Sequence, residues 1–317
     1  MASEKRGLAG YLKLFFSGFI MGSADVVPGV SGGTMAFILG IYGELIESIA
    51  KFTSFDAIKT MLCFRLKKAF ATLPWQFVLV LALGIVTAIV TTASGIKWML
   101  ENRPQEIWAF FFGLVLASIF TVLGRVKKWS PDRWIAMFAG AAGAWILVGL
   151  PFSSNPPDSW WYLMLCGAIA ICAMILPGIS GSFILVLMGK YDTVLGAVDG
   201  AKGAVLSGNW QALGSHVLVL LLFIAGVVLG IATFIRVLGW LFKKHPDLTV
   251  AVLIGFMAGS LRKVWPWKGL DGIENILPET WDWQTWGVVG LSVCGLLLVL
   301  GIEKLASGKE TGEKKQK

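Results

Sequence analysis

The sequence predicts an all-α polytopic membrane protein, built as an inverted-topology repeat in which each half has a re-entrant helical hairpin plus three transmembrane helices. Three observations lead there. Of 317 residues, 56% are hydrophobic and only 15% charged, against about 25% charged in a soluble domain. Several apolar stretches approach or exceed the roughly 20 residues that span a bilayer. Finally, the chain repeats itself.

Residues 27–49, VPGVSGGTMAFILGIYGELIESI, align without gaps on residues 176–198, LPGISGSFILVLMGKYDTVLGAV, at an offset of 149. Pro28, Gly29, Ser31, Gly32, Gly40 and Tyr42 then match Pro177, Gly178, Ser180, Gly181, Gly189 and Tyr191. At an offset of 142, Gly84, Trp98, Pro104, Ala109, Gly113 and Ser118 match Gly226, Trp240, Pro246, Ala251, Gly255 and Ser260. At 152, Trp134, Gly143 and Gly149 match Trp286, Gly295 and Gly301. The same order over three regions marks a duplication.

The elements follow. The first repeat, 1–150, has a hairpin over 8–50 and transmembrane helices over 75–98, 105–123 and 133–150. A loop-like PFSSNPPDS leads to the second repeat, 160–303, with a hairpin over 160–198 and helices over 216–241, 247–262 and 284–303. The polar segment 304–317 reads as a disordered cytoplasmic tail. The basic N-terminus runs into continuous apolar sequence rather than a cleavage site, so it is not read as a cleavable signal.

A hairpin that leaves on its own side contributes no crossing, so each half crosses three times and the halves run antiparallel. With both termini cytoplasmic, twenty of the 27 Lys and Arg residues fall inside and seven outside, as the positive-inside rule requires. A chain in which all ten apolar segments cross gives the same distribution, so the Pro-Gly breaks must decide between the two. The net charge of +8 follows from this loop bias and points to no nucleic acid. Four cysteines without CxxC spacing and two distant histidines exclude a metal site of the usual kinds. Nothing calls for a cofactor. There is no Walker A loop and no nucleophile–base set, so the reading is a transporter rather than an enzyme, and the sequence assigns no oligomeric state.

The breaks carry the chemistry. Proline removes a backbone N–H and forces the preceding residue out of the helical region. In DVVPGVSGGT one helix should stop near Asp25 and another start near Ser31. A helix start at membrane depth presents free N–H groups and small residues that let an anion approach. Ser31, Gly32, Gly33 and Thr34, with Ser180, Gly181 and Ser182 of the second copy, are therefore candidate phosphate ligands; the competing reading is a kinked helix in which Gly and Ser permit close packing. Asp25, whose counterpart is Met174, is a candidate for proton or cation coupling or else an N-cap. Glu44 is the second coupling candidate, Glu47 pairs with Lys51, and Lys190 pairs with Asp192. In Ser260–Lys268 three cations interleave with two tryptophans, making Arg262 and Lys263 candidates for an anionic lipid headgroup or members of an ordinary aromatic belt.

The stretches Asp25–Thr34, Leu176–Ser182 and GSL-x-x-x-WPWK at Gly259–Lys268 resemble the bacterial membrane family assigned to undecaprenyl phosphate translocation and called PopT, over residues 8–303. The resemblance implies a flippase of the cytoplasmic membrane that returns undecaprenyl phosphate, or a related anionic lipid, from the outer to the inner leaflet for cell-envelope synthesis. The alternative on the same architecture is a proton- or cation-coupled transporter of a small anionic solute.

Overall fold

In hydrocarbon every backbone polar group must be satisfied within the chain, which favours helices wherever the sequence is apolar. The computed structural model describes residues 6–26, 31–63, 72–150, 156–269 and 274–314. In the first half they form α1 (Leu8–Asp25), α2 (Gly32–Ile38), α3 (Tyr42–Phe52), α4 (Phe55–Leu62), α5 (Trp75–Asn102), α6 (Pro104–Leu123) and α7 (Pro131–Val148). In the second they form α8 (Trp160–Ile175), α9 (Gly181–Leu187), α10 (Tyr191–Ser207), α11 (Trp210–Lys244), α12 (Pro246–Ser260) and α13 (Trp283–Lys314). Proline opens α6, α7 and α12, where its missing N–H costs nothing.

Among the described residues, four segments are long and apolar enough to span a membrane: Trp75–Thr92, Pro104–Leu123, Trp210–Lys244 and Trp283–Gly301. The pair α9 and α10, bent by 110°, makes a fifth if counted as one. Six spans were expected. α12 has only 15 residues, about 22 Å of helix against the ~30 Å hydrocarbon core, and α7 begins with Asp132 and Arg133 in its first turn. α11 is longer than expected, starting at Trp210. α13 stays helical to Lys314, through most of the segment whose composition reads as a disordered tail. The expected breaker residues Pro28 and Gly29 lie outside the described residues, as do Arg65, Lys67 and Lys68 of the first basic loop.

Both short helices stop in the same way. Gly40 and Gly189 have φ of 74° and 68°, the left-handed conformation that glycine adopts without steric cost. Around Gly40, Ile41 N donates to Ala36 O and Gly40 N to Phe37 O; around Gly189, Lys190 N donates to Leu185 O and Gly189 N to Val186 O. This is a Schellman ending in both halves, and it turns α2 into α3 and α9 into α10.

Glycine also fixes the helix pairing. A β-carbon on Gly18 would lie 2.2 Å from the Leu81 carbonyl oxygen, and one on Gly167 would lie 2.3 Å from that of Phe223. One on Gly84 would lie 2.1 Å from the Phe15 oxygen, and one on Gly226 would lie 1.9 Å from that of Met164. The residues in each comparison are those matched at offsets 149 and 142. Gly22 abuts Ile85 and Ala88 a turn further along, so α1 and α5 run in the same direction; α8 and α11 do likewise through Gly230 against Ala168 and Ile171. The third helix of each half packs across the halves instead. Gly113 and Gly295 bring α6 onto α13, and Gly255, Gly140 and Gly259 bring α12 onto α7, again in the same direction.

These contacts also revise the third alignment. Gly255 against Met137 and Ala141 corresponds to Gly113 against Ser292 and Leu296, an offset of 155 rather than 152. The tryptophan match had slipped the register by nearly one helical turn.

α6 and α12 lie at the centre, with Ala109, Ala117, Val122, Ala251, Ile254 and Met257 fully covered. α5 and α11 carry exposed Leu83, Val90, Leu218 and Leu221 on the outside, as expected of faces turned to lipid. Because backbone lies directly against Gly226, Gly226→Val should destabilise the fold by about 1–3 kcal/mol. Gly143→Val, which meets nothing within 4 Å, should be near neutral. Unfolding in detergent, followed by circular dichroism, checks the contrast.

Candidate functional site

The two breaks meet. α8 ends at Ile175, leaving its last carbonyls without helical partners. The first half supplies them. The Ser31 hydroxyl lies 3.3 Å from Met174 O and 3.2 Å from Leu176 O, and shares its proton between them. The Tyr42 hydroxyl donates to Ile175 O at 3.0 Å. In return, Gly178 N donates to Thr34 Oγ1 at 2.8 Å. Gly33 permits the approach, since a β-carbon there would lie 2.8 Å from Ile175 O. Ser31, Thr34 and Tyr42 are all buried.

The start of α2 is thus already engaged. Ser31 Oγ accepts from Gly33 N at 3.1 Å, and Asp25 Oδ1 accepts from Gly32 N at 2.7 Å. Ser31 is the N-cap residue of α2, while Asp25 accepts from the first N–H of the helix, and its carboxylate occupies the donor that an anion would need. Of the four candidate ligands in the first copy, Ser31, Gly32 and Gly33 are held by these local bonds and Thr34 by the partner break.

The second copy differs. Ser180 makes no cap to the start of α9; its Oγ lies 2.7 Å from Ser182 Oγ instead. Ser180, Gly181 and Ser182 line a cavity of about 340 Å³ whose wall includes both Asp25 and Met174. The acid of one half and its apolar counterpart in the other therefore face one space, which holds two hydroxyls, a helix start and a carboxylate. A β-carbon on Gly181 would lie 2.7 Å from Ala170 O, so glycine keeps the opening of α9 against α8.

A second, apolar cavity of about 500 Å³ lies among α1, α2, α5, α6 and α13, lined by Met35, Ile96, Phe110 and Leu298 and reaching Ser23 and Ala24, next to Asp25.

The other candidates scatter. Glu44 is exposed and pairs with Arg6, away from the Asp25 cavity, because the start of α3 points back to the surface. Lys190 is buried and bonds Asp158 at 2.5 Å, rather than its helix neighbour Asp192; the contact holds the Asp158 carboxyl below its usual range. Glu47 and Lys51 pair at 3.0 Å as expected. Arg262 donates to Trp145 O at 3.0 Å and stacks on its ring, joining the ends of α7 and α12. Lys263, beyond the end of α12, lies 4.8 Å from the Phe183 ring centre; no ion pair links it to a carboxylate among the described residues, and burial pushes its ammonium below the ordinary value. In the sequence Tyr42 stands out only as a match of the repeat. Its place in a chain with four tyrosines was the one available hint of a specific hydroxyl role.

Residues 21–275 match the family described as VCA0040-like, undecaprenyl phosphate translocase-like. The chain belongs to this family. It is 42% identical over 259 residues to the polyprenyl-phosphate transporter of Vibrio cholerae, covering 81% of this chain and 79% of that one. To the polyprenyl-phosphate transporter of Staphylococcus aureus it is 28% identical over 263 residues, covering 78% and 84%. No solved structure matches the chain.

Removing the donors to the α8 carbonyls leaves buried acceptors bare. Ser31→Ala and Tyr42→Phe should each destabilise by about 1–3 kcal/mol. Ser180→Ala, whose hydroxyl contacts the Ser182 hydroxyl rather than a bare carbonyl, should cost less than either. Denaturation midpoints of the three variants in detergent check the order.

Proposed function

We propose that this chain is a lipid flippase that moves a polyprenyl phosphate, undecaprenyl phosphate in the bacterial cell, from the outer to the inner leaflet of the cytoplasmic membrane. The observation that carries the reading is the cavity in which the uncapped second break, Ser180–Ser182, faces Asp25 across the seam. Family membership and the names of the two relatives supply the cargo class. The phosphate sits at Ser180, Gly181 and Ser182, and Lys263 draws it in from the outer face. The polyprenyl tail stays in the apolar groove and the surrounding lipid. That groove favours a lipid over a small solute, since a solute needs no apolar channel beside its polar site.

The architecture belongs to the same proposal. The halves form an inverted repeat with re-entrant breaks and both termini cytoplasmic. Support comes from the matched glycine contacts, the paired Schellman endings and the same-direction packing of α7 on α12. Consecutive helices α6 and α7 are joined by seven residues, 124–130, a connection short enough to suit an antiparallel return, and α12 is the counterpart of α6. A helix of one half parallel to the opposite member of the other is what inversion requires.

Asp25 sets the coupling. An ionised Asp25 and a phosphate on one cavity wall repel; two unit charges ~6 Å apart at an effective dielectric constant of ~20 repel by about 3 kcal/mol. A proton on Asp25 removes that repulsion, so lipid entry and proton uptake are linked. Glu44, held by Arg6 at the surface, has no part in this cycle.

Purified protein in proteoliposomes should speed transbilayer movement of undecaprenyl phosphate, and equal rates with and without protein would sink the reading. Asp25→Asn should fold normally, keep its lipid affinity with a weaker dependence on pH, and transport at least tenfold more slowly. Wild-type transport by that variant removes Asp25 from the mechanism.

A further inference from the structure

The molecule carries a similar device at its two ends. At one, Lys263 lies 4.8 Å from the centre of the Phe183 ring on α9. At the other, the Arg125 guanidinium lies 5.4 Å from the centre of the Phe37 ring on α2. Each cation follows the end of the second membrane helix of its half, α6 or α12, and each ring belongs to the short helix after a break.

The ends are opposite ones. Arg133 and Asp247, 3.1 Å apart, join the starts of α7 and α12, while Arg262 and Trp145 join their ends. Arg125 precedes the start of α7 and Lys263 follows the end of α12. The 18 residues of α7 separate the two levels by about 27 Å.

We propose that Arg125, seated on Phe37, is a second phosphate headgroup station for the same lipid, at the end of the molecule opposite Lys263. The inference rests on the transport reading above. A guanidinium held over a ring face at this distance leaves N–H groups free to donate, and that planar fork fits a phosphate better than an ammonium does. Among the described residues no carboxylate pairs with Arg125, and Lys127 and Lys128 beside it are exposed. The floor is firm: Phe37 is buried, its ring centre lies 4.8 Å from that of Tyr42, and Tyr42 lies 6.0 Å from Phe242. The two stations are not one inherited packing contact, because the repeat aligns Phe37 with Val186 and Phe183 with Thr34. Each end reaches a cation over a ring through different residues, which points to the arrangement rather than the ancestry as the thing retained.

Titration of the full-length protein in detergent with a ten-carbon prenyl phosphate tests this. Wild type should bind one equivalent more than Arg125→Gln, or bind it about tenfold more tightly. Arg125→Lys should restore part of the loss, and Lys263→Gln should leave the Arg125 event in place. Unchanged stoichiometry and affinity in a folded Arg125→Gln overturns the station. Competition by equimolar inorganic phosphate would identify free phosphate as its occupant and overturn the lipid assignment; competition only at large excess supports it. Absence of any prenyl phosphate binding by wild type would count against the transport reading itself.

Discussion

The fold depends on one exchange of hydrogen bonds. A helix that stops inside a membrane leaves carbonyls for which lipid has no donor. Here α8 stops, and the hydroxyls of Ser31 and Tyr42, from the other half of the chain, take up those carbonyls. Gly178 N answers by donating to Thr34. Each break takes part of its hydrogen bonding from the other half. The exchange holds the halves in one register, and everything near the cavity takes its position from it.

The same exchange separates two copies of one motif. In the first copy the hydroxyls hold the fold together and Asp25 closes the helix start. In the second the helix start opens on a cavity. Two copies of the motif thus give one structural break and one open one, and the differences Asp25/Met174, Gly33/Ser182 and Thr34/Phe183 between them fall at these contacts. The ligand set read symmetrically from sequence is divided by the structure: Ser180–Ser182 stay at the cavity, while Ser31–Thr34 turn inward.

Much of the fold was legible in the sequence because lipid imposes simple rules. Apolar length gave the helices, and proline and glycine gave their ends. The repeated glycines marked faces where backbone meets backbone, although the sequence did not say which helix each would meet. The third alignment is off by three residues because it is anchored on Trp134 and Trp286, whereas the close helix contacts run through Met137, Ala141, Ser292 and Leu296. The site was less legible. Whether a serine caps its own helix or bonds across to another depends on spacing between halves that no local pattern encodes. Glu44 is a coupling candidate by sequence, but Arg6, from a segment with no partner signal, meets it at the surface. Arg262 is by sequence a headgroup candidate or a member of an aromatic belt, and the structure sets it against Trp145.

The crossed packing of the third helices has a consequence for how the chain is made. α7 leaves the ribosome with Gly140 facing nothing, and α6 with Gly113 equally bare. Their partners, α12 and α13, begin about a hundred or more residues later. At ~5–20 residues per second the first half waits several seconds with its closest-packing faces open to lipid. A helix pair that must wait needs surfaces that lipid tolerates, and a stripe of glycine and alanine is such a surface: it offers no exposed polar group and no strong grip for a wrong partner. The small residues that permit tight packing in the finished protein also keep the unfinished one inert while it waits.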